Sequence, residues 1–374
     1  MFYNFNFAFL FKQSNKMTKF YPISITDVTR ETAESVSIGF LIPNDLKEKF
    51  QYKQGQYLTL KLHVNGQELR RSYSICTSPN TDSELRVAIK KVKEGRVSTF
   101  INEHVKAGDT IDVMPPMGNF YSEMNPSNKK TYVLFAGGSG ITPMLSILKT
   151  ALHAEPLSKV ILFYGNQNED AIIFKNKIDA LESQFSDKLK VYHVLEHGNV
   201  TDPLFKGIMT LEKTTELVKR FVNHSEQNEY FICGPTGMMQ NIEQTLNNLN
   251  INKSSVHLEY FSAPVDTSEI VSKASANNET FKSMVTIICD GDEKTVELGA
   301  DDFILDKALD ANLDAPYACR SGSCCTCRAK LIEGKVEMVV NYALLDSEVE
   351  EGFILTCQSR PLTPVVVINY DQGR

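Results

Sequence analysis

Hydrophobic and polar residues alternate with a period of two through much of the first third of the chain, which is the pattern of half-buried β-strands. The clearest runs span residues 57–62, 85–92 and 110–113. Asn65-Gly66 follows the first run and has the residue types of a tight hairpin turn. A short helical pattern at residues 97–104 interrupts the strands. We therefore predict a small antiparallel β-barrel over residues 18–125.

Strand and helix patterns alternate from residue 126 to residue 262. Apolar strands are predicted at residues 131–136, 160–164, 189–195, 230–233 and 256–261. Such alternation favours a parallel sheet covered by helices on both faces, so we predict an α/β domain over residues 126–262. Residues 263–281 are polar and rich in Ser, Ala and Asn, as is typical of an interdomain linker.

The last part of the chain, residues 282–374, mixes strands with one helix. Strands are predicted at residues 285–289, 295–298 and 365–369, a helix at 304–311, and two further strands on either side of Gly334. Asp290-Gly291 supplies the turn of the first hairpin. This arrangement favours a β-grasp ferredoxin fold. The predicted fold class is multidomain: an antiparallel β-barrel, an α/β parallel-sheet domain and a β-grasp domain.

Length and composition fit this picture. The chain has 374 residues, 42% hydrophobic and 23% charged, which suits two to three globular domains. The apolar opening MFYNFNFAFLF is far shorter than the ~20 residues that span a bilayer, and it lacks the features of a secretory signal. We expect residues 1–17 to be a disordered tail or an upstream start. We predict a cytoplasmic protein with no membrane partner, and eight cysteines fit a reducing compartment.

Negative charge is concentrated in the last part of the chain. Residues 281–374 contain 9 of the 39 Lys and Arg but 16 of the 46 Asp and Glu, so the remainder of the chain is balanced. A nucleic-acid partner is disfavoured, because nucleic-acid binding requires a basic face. The acidic excess serves either solubility or docking on a basic partner surface, and the sequence leaves both open.

Four cysteines of this acidic part have the spacing of metal-cluster ligands. Cys319, Cys324 and Cys327 form C-x4-C-x2-C, and Cys357 follows after 29 residues. This is the ligand spacing of a plant-type [2Fe–2S] cluster. A zinc site or a disulfide set is the alternative, but structural zinc usually takes cysteines in two separated pairs. Cys325 is predicted to be a packing thiol, with ligation by Cys325 in place of Cys324 as the alternative.

Two further motifs resemble those of the ferredoxin–NADP reductase superfamily. Arg71-Ser72-Tyr73-Ser74 resembles its flavin-binding R-x-Y-[ST], and Gly95-Arg96-Val97-Ser98-Thr99 resembles its G-x-x-[ST] at a helix start. The resemblance implies that these segments hold a flavin, FAD rather than FMN, through Arg71, Ser72, Tyr73, Ser74, Gly95, Ser98 and Thr99. An Arg fork suits pyrophosphate, and amides at a helix start suit phosphates.

The nucleotide motifs follow in the α/β domain. The segment 137–143 (GGSGITP) resembles the superfamily's G-G-[ST]-G-I-[ST]-P, in which glycines bring the backbone close to a pyrophosphate. Segments 233–235 (CGP) and 259–261 (EYF) resemble its C-G-P and E-x-F. The resemblance implies NADPH or NADH binding by Gly137, Gly138, Ser139, Gly140, Thr142, Cys233, Gly234, Pro235, Glu259 and Phe261. Thr142 is predicted to cap the following helix, with Pro143 at its first position.

The choice between NADPH and NADH stays open. Gln167 stands where related sequences carry an Arg that can meet a ribose 2′-phosphate, which puts 2′-phosphate recognition in doubt. No acidic residue of that stretch clearly binds a free 2′-hydroxyl. Lys175 and Lys177 are candidate substitutes for the Arg, although solvated helix positions explain them equally well.

The predicted domains form an electron relay from NAD(P)H through flavin to the cluster, with no protein nucleophile or general base required. Segments 324–330, 341–344 and 357–359 resemble the reductase subunits of phenylacetyl-CoA epoxidase (ring 1,2-epoxidase) systems, and the resemblance covers residues 18–374. It implies that the electron acceptor is a di-iron oxygenase of phenylacetate catabolism. The alternatives are a reductase of another oxygenase or hydroxylase, and a non-catalytic redox carrier or sensor.

Overall fold

The structure, a computed structural model, describes residues 19–224, 227–262 and 282–373. The predicted tail (1–17) and linker (263–281) lie outside the described residues. Three main β-sheets follow one another along the chain, with a two-stranded sheet beside the third. They match the predicted fold class: an antiparallel sheet, a parallel sheet with helices, and a mixed sheet.

The first sheet has six antiparallel strands in the order β4-β3-β6-β1-β2-β5. Their bounds are β1 Tyr21–Thr32, β2 Ser35–Leu41, β3 Tyr57–Val64, β4 Gln67–Ser74, β5 Leu85–Lys90 and β6 Thr110–Met117, and helix α1 spans Arg96–His104. An isolated bridge between Ile75 and Val87 joins the two edges of this sheet into a barrel. The predicted β3–β4 turn is confirmed, because Asn65 and Gly66 both have positive φ, as a type I′ turn requires.

The second sheet has five parallel strands in the order β11-β10-β7-β8-β9. The strands are β7 Thr131–Gly137, β8 Lys159–Asn166, β9 Leu189–Leu195, β10 Asn228–Cys233 and β11 Val256–Glu259. The helices are α2 Ile141–Ala154, α3 Lys175–Gln184, α4 Leu211–Phe221 and α5 Thr236–Asn248. Separate hydrophobic clusters cover the two faces of the sheet, which is why its central strands are apolar at almost every position.

The third sheet has the order β13-β12-β18-β14-β16, with β15 and β17 paired beside it. Its strands are β12 Lys282–Cys289, β13 Asp292–Gly299, β14 Arg328–Glu333, β15 Val336–Met338, β16 Phe353–Leu355, β17 Ser359–Pro361 and β18 Val365–Asn369. The helices are α6 Ile304–Asp310 and α7 Asp346–Glu350. β12 runs parallel to β18 and antiparallel to β13, so the sheet is mixed as predicted.

The first two sheets share a packed boundary. Phe120, after β6, contacts Phe231 of β10 edge-on with ring centroids 5.3 Å apart. Ser146 of α2 donates a 2.6 Å hydrogen bond to the carbonyl of Thr77. These contacts fix the barrel against the face of the parallel sheet that α2 covers. Within the described ranges, no helix is both long and apolar enough to cross a membrane.

Candidate functional site

A cleft of about 270 Å³ opens where the three sheets meet. Residues from all three sheets line it, including Arg71, Ser72, Ser74, Glu259, Phe261, Cys319 and Cys324. The predicted flavin motif, the end of the nucleotide domain and two predicted cluster ligands therefore face one space. The half-buried Tyr73 instead packs against the barrel core.

The second predicted flavin segment forms a tight turn at the start of α1. A Cβ atom on Gly95 would lie 2.4 Å from Ser98 Oγ, so a larger residue would clash there. The Ser98 hydroxyl accepts from the Val92 N–H and donates to the Gly95 carbonyl, both at 3.2 Å. Thr99 N–H donates to the same carbonyl at 3.0 Å. Backbone N–H groups at such a helix start are suited to binding phosphate.

Glycines allow the loops after β7 and β10 to touch. A Cβ on Gly140 would lie 2.0 Å from the Cys233 carbonyl oxygen, and one on Gly137 would lie 2.5 Å from Pro235 Cδ. A Cβ on Gly234 would lie 2.9 Å from the backbone nitrogen of Gly137. The structure thus brings the two predicted nucleotide motifs together at the carboxyl ends of adjacent strands, where open α/β sheets bind ligands.

The predicted cap of α2 is wrong. The helix begins at Ile141, with Gly140 as its N-cap, so Thr142 and Pro143 are the second and third helical residues. A 3₁₀ turn over Gly138–Gly140 leads directly into the helix, which moves its start towards the glycines. The Thr142 hydroxyl donates to the Ser139 carbonyl at 3.0 Å. Pro143 is tolerated because the first four N–H groups of a helix have no partner within it.

Cys233 and Glu259 are neighbours at the ends of β10 and β11, where they stand in register. The thiol of Cys233 is fully buried, and burial raises its pKa well above the usual range. The Ser74 hydroxyl donates a 3.0 Å hydrogen bond to Glu259 Oε2 across the domain boundary. The residue retains some accessible surface, but protein atoms crowd its carboxyl, and this burial raises its pKa to about 8. Glu259 therefore holds a proton at neutral pH.

A second cavity, of about 480 Å³, runs along the carboxyl ends of β7, β8 and β9. Its lining includes Gly137, Gly138, Gly165, Asn166, Gln167, Glu196, Ile208, Pro235 and Met238. Lys90, from the barrel, closes the end beside Gly138. The cavity has the position expected of a nucleotide pocket, and Lys90, Glu196 and Ile208 were not among the predicted site residues.

The four predicted cluster ligands converge in the third domain. Cys319 Sγ and Cys324 Sγ lie 3.2 Å apart, and Cys357 contacts both Cys319 and Cys327. Hydrogen bonds from Cys324 and Cys357 lower the pKa of Cys319. The Ser321 N–H points at Cys319 Sγ at 3.4 Å, as suits a thiolate.

This donor set suits a cluster held by four thiolates. All eight cysteines are free, so the disulfide alternative is not realised. No group of three or more His, Cys, Asp or Glu within residues 19–224, 227–262 and 282–373 has the geometry of a metal-ion site, and the four cysteines are no exception. The fit to a cluster therefore rests on four converging thiols and on the domain match given below.

Cys325 has a role that the sequence did not indicate. Tyr57 of β3 reaches into the third domain, and its hydroxyl lies 3.2 Å from both Cys325 Sγ and Thr326 Oγ1. Thr326 Oγ1 is 3.4 Å from Thr59 Oγ1, which in turn is 3.2 Å from Ser72 Oγ. We call these five residues the hydroxyl bridge. It links the flavin motif on β4 to the cysteine loop.

Four polar or aromatic contacts support the hydroxyl bridge at its sides. Arg70 of β4 forms a 3.1 Å salt bridge with Asp314, and its guanidinium lies 4.3 Å from the centre of the Tyr317 ring. Asn119 donates to Glu348 at 2.8 Å. The rings of Tyr260 and Tyr342 lie 5.3 Å apart. The cluster domain is thus seated on both of the other domains, with its cysteine loop turned inwards.

Comparison with known proteins gives a consistent picture over the whole chain. Residues 23–121 match the oxidoreductase FAD-binding domain, residues 134–244 match the oxidoreductase NAD-binding domain, and residues 287–362 match the 2Fe-2S iron-sulfur cluster binding domain. The three matches fall on the barrel, the parallel sheet and the mixed sheet in that order.

Similar proteins align with this chain along nearly their full length. The chain is 37% identical to one of the subunits of 1,2-phenylacetyl-CoA epoxidase from Escherichia coli K12, over 95% of this chain and 99% of that protein. It is 33% identical to the ferredoxin reductase component of 3-ketosteroid-9-alpha-monooxygenase from Rhodococcus rhodochrous, over 93% and 96%. Among solved structures, phthalate dioxygenase reductase superposes with a TM-score of 0.56 at 23% identity, covering 94% of this chain and 98% of that one.

Proposed function

The chain belongs to the FAD- and NAD-binding reductases with a C-terminal [2Fe–2S] domain that serve multicomponent oxygenases, and we propose that its acceptor is a di-iron oxygenase that epoxidises phenylacetyl-CoA. The observation that carries the choice of acceptor is the 37% identity to a component of the Escherichia coli phenylacetyl-CoA epoxidase, which extends over nearly the full length of both chains. The proposed domain bounds are 18–125, 126–262 and 282–374, joined by 263–281.

The proposed flavin site is the cleft between the three domains. Arg71 would bind the flavin phosphates, assisted by the N-terminus of α1 after Gly95. Ser72 and Ser74 line the cleft and would be available as hydrogen-bond partners of the ring. A flavin held there would supply the conversion from a two-electron donor, the nicotinamide, to the one-electron transfer that a [2Fe–2S] acceptor needs. The remaining work of the protein is to position the groups and to control access of water and protons.

The proposed nicotinamide site lies in the cleft beside Ser74 and Glu259, with the buried Cys233 next to Glu259. Glu259 holds a proton at its carboxyl at neutral pH, with the Ser74 hydroxyl donating to Oε2, so no net negative charge stands against the ring. Cys233 stays a neutral thiol because it is buried. The glycine loop after β7 would hold the pyrophosphate.

The proposed cluster site is formed by Cys319, Cys324, Cys327 and Cys357. Cys319 and Cys324 line the same cleft as the flavin motif, so the two groups would lie side by side. The hydroxyl bridge holds the cysteine loop against β3. Exposed acidic residues of this domain, such as Asp301 and Asp310, would be the contacts for a basic acceptor surface.

Reconstitution tests the acceptor. The purified holoprotein, mixed with the oxygenase subunits of a phenylacetyl-CoA epoxidase, should support epoxide formation that depends on NAD(P)H and on phenylacetyl-CoA. The chain should support faster turnover with these subunits than with the oxygenase of the 3-ketosteroid-9-alpha-monooxygenase system, whose reductase component is also similar to this chain. The reverse preference would exclude the proposed acceptor.

A salt series tests docking through the acidic domain. The screening length falls from ~10 Å at 0.1 M salt to ~3 Å at 1 M, so electron delivery to the oxygenase should slow as salt rises. Reduction of the chain's own flavin by NAD(P)H should change much less. Equal salt dependence of the two rates would leave the acidic excess as a solubility feature. Turnover of ferricyanide with NAD(P)H would exclude a mere carrier or sensor.

A further inference from the structure

We infer that the nucleotide pocket selects NADH over NADPH, and that Glu196 makes the selection by accepting hydrogen bonds from the free adenosine ribose and repelling a 2′-phosphate. This inference rests on the NAD(P)H-oxidising function proposed above and names the substrate of the same site. It concerns the end of the pocket farthest from the proposed flavin site.

The order of the strands places the adenosine at β9. The glycine loop that suits a pyrophosphate follows β7, and Pro235 after β10 marks the nicotinamide side. Adjacent strands are ~4.8 Å apart, so the end of β9 lies ~10 Å from the end of β7 on the opposite side. That distance suits the ribose next to the pyrophosphate.

Glu196 is held at this end by backbone hydrogen bonds. Its N–H donates to the Asn166 carbonyl at 3.0 Å, and the next N–H, that of His197, donates to the Gln167 carbonyl at 2.7 Å. Glu196 and Gln167 therefore stand side by side just beyond β9 and β8, and both line the pocket. The exposed Ile208 lies on the same rim and offers an apolar surface for the adenine.

The chemistry of this pair favours a free diol. A carboxylate accepts hydrogen bonds from ribose hydroxyls, and an acidic residue has this role in many NAD sites. The Gln167 amide can donate or accept, but it carries no charge to balance a phosphate. A 2′-phosphate would bring a second negative group against Glu196. Like charges at such a separation are unfavourable even when solvent weakens them.

The two lysines that the sequence analysis named as candidate 2′-phosphate ligands are engaged elsewhere. Lys175 pairs with Asp179 at 3.0 Å, and Lys177 pairs with Glu31 of the barrel at 3.1 Å. Neither lines the pocket. Among the described residues that line it, the cation is Lys90, and it lies at the Gly138 end beside the proposed pyrophosphate site. Lys206 meets the end of β9 through its backbone, but its exposed side chain is not part of the lining.

Nucleotide kinetics of the holoprotein with ferricyanide test the inference. The wild type should show a kcat/KM for NADH at least roughly tenfold above that for NADPH. Glu196→Gln should raise kcat/KM for NADPH roughly tenfold, mainly through KM, and change the NADH value much less. Adding Gln167→Arg should reverse the preference. Glu216→Gln removes the same charge from an exposed position on α4 outside the pocket, and it should change neither nucleotide.

Direct binding keeps this inference separate from the proposed function. Calorimetric titration of the full chain should show tighter binding of ADP than of 2′,5′-ADP, and Glu196→Gln should narrow the gap. The inference is overturned if the wild type prefers NADPH or 2′,5′-ADP, if Lys206→Ala abolishes NADPH use, or if Glu196→Gln affects both nucleotides alike. A chain that oxidises neither nucleotide but still shows the Glu196-dependent preference for ADP would contradict the proposed function and support the inference.

Discussion

Removing the Tyr57 hydroxyl from the hydroxyl bridge should weaken the contact between the cluster domain and the barrel. The Tyr57 hydroxyl is buried and contacts Cys325 and Thr326 at 3.2 Å each. Tyr57→Phe keeps the ring, which packs in the core of the cluster domain, and deletes only these contacts. Thr326 retains Thr59 at 3.4 Å, whereas Cys325 is left without this partner.

The size of the effect follows from the burial of the groups involved. Leaving a buried polar group without its hydrogen-bond partner costs about 1–3 kcal/mol. The free-energy cost should be near the lower end of this range, because the lost contact to the Cys325 thiol is weak and Thr326 keeps its contact with Thr59. The equilibrium between the seated and the separated cluster domain should therefore shift about 5-fold, and at most about 150-fold, towards separation. Arg70 and Asn119 should still hold the domain in place for most of the time.

Alkylation of the Cys325 thiol measures this shift. Its side chain is buried, so it reacts only when the interface opens, and peptide mass mapping distinguishes it from the other cysteines. In the holoprotein, Tyr57→Phe should speed the labelling of Cys325 by the same 5- to 150-fold, while cluster and flavin contents stay constant. Flavin-to-cluster electron transfer in stopped-flow should slow.

A matched control lies within the barrel. The Tyr52 hydroxyl donates to Thr77 at 2.9 Å, beside the buried thiol of Cys76. Tyr52→Phe should speed labelling of Cys76 and leave Cys325 unchanged, while Tyr57→Phe should do the reverse. If Tyr57→Phe changed neither Cys325 labelling nor electron transfer, the hydroxyl bridge would have no part in seating the domain.

Three further predictions concern the cofactor sites. Serine replacement of any of the four proposed ligand cysteines should lower the iron and sulfide content and leave flavin reduction by NAD(P)H intact. Cys325→Ser should keep the cluster. If Cys325→Ser lost its iron while Cys324→Ser kept it, the ligand assignment would be reversed. Arg71→Ala should weaken flavin retention by about 1.5–3 kcal/mol, read as flavin released on dilution, with cluster content unchanged; full retention would remove Arg71 from the site. Because the pKa of Glu259 is raised, the stability that this group contributes is complete below its ordinary pKa of 4.5 and is lost as pH rises through about 8. In urea titrations, the free energy of unfolding of Glu259→Gln should therefore fall less steeply between these pH values than that of the wild type, by up to about 1.4 kcal/mol per pH unit. An identical pH dependence of the two proteins would refute a buried, protonated carboxyl.

Much of the architecture could be predicted from local patterns. Alternation gave β3 and β5, glycine turns gave the β3–β4 and β12–β13 hairpins, and apolar runs gave the five parallel strands within a few residues. The predicted start of α2 is wrong because Thr142, a favourable capping residue, lies inside a helix whose start is set by the 3₁₀ turn over Gly138–Gly140. The sequence did not predict β1 and β2 as separate strands. For β2 the reason is that it is buried at nearly every position and does not alternate in burial.

The contacts between domains could not be predicted in this way. Tyr57 and Cys325 are 268 positions apart, and each looks like an ordinary core residue in its own segment. Glu196 becomes a pocket residue only because β9 is the second strand from β7, and strand order is not encoded in a hydrophobic pattern. The Cys-Cys dipeptide at positions 324–325 shows that one thiol is left over from the four-ligand spacing, but it does not show that this thiol contacts Tyr57.

The hydroxyl bridge limits how this protein can be recombined with its relatives. A grafted cluster domain with glycine at position 325 would bring four correct ligands but no thiol for Tyr57. One without an acid at position 314 would remove the salt bridge that Arg70 makes to the cluster domain. Chimaeras that exchange only residues 282–374 should therefore assemble a cluster yet pass electrons poorly within the chain. Exchanging β3 and β4 together with residues 282–374 should restore the transfer. The two segments therefore have to come from the same protein, although they are far apart in the sequence.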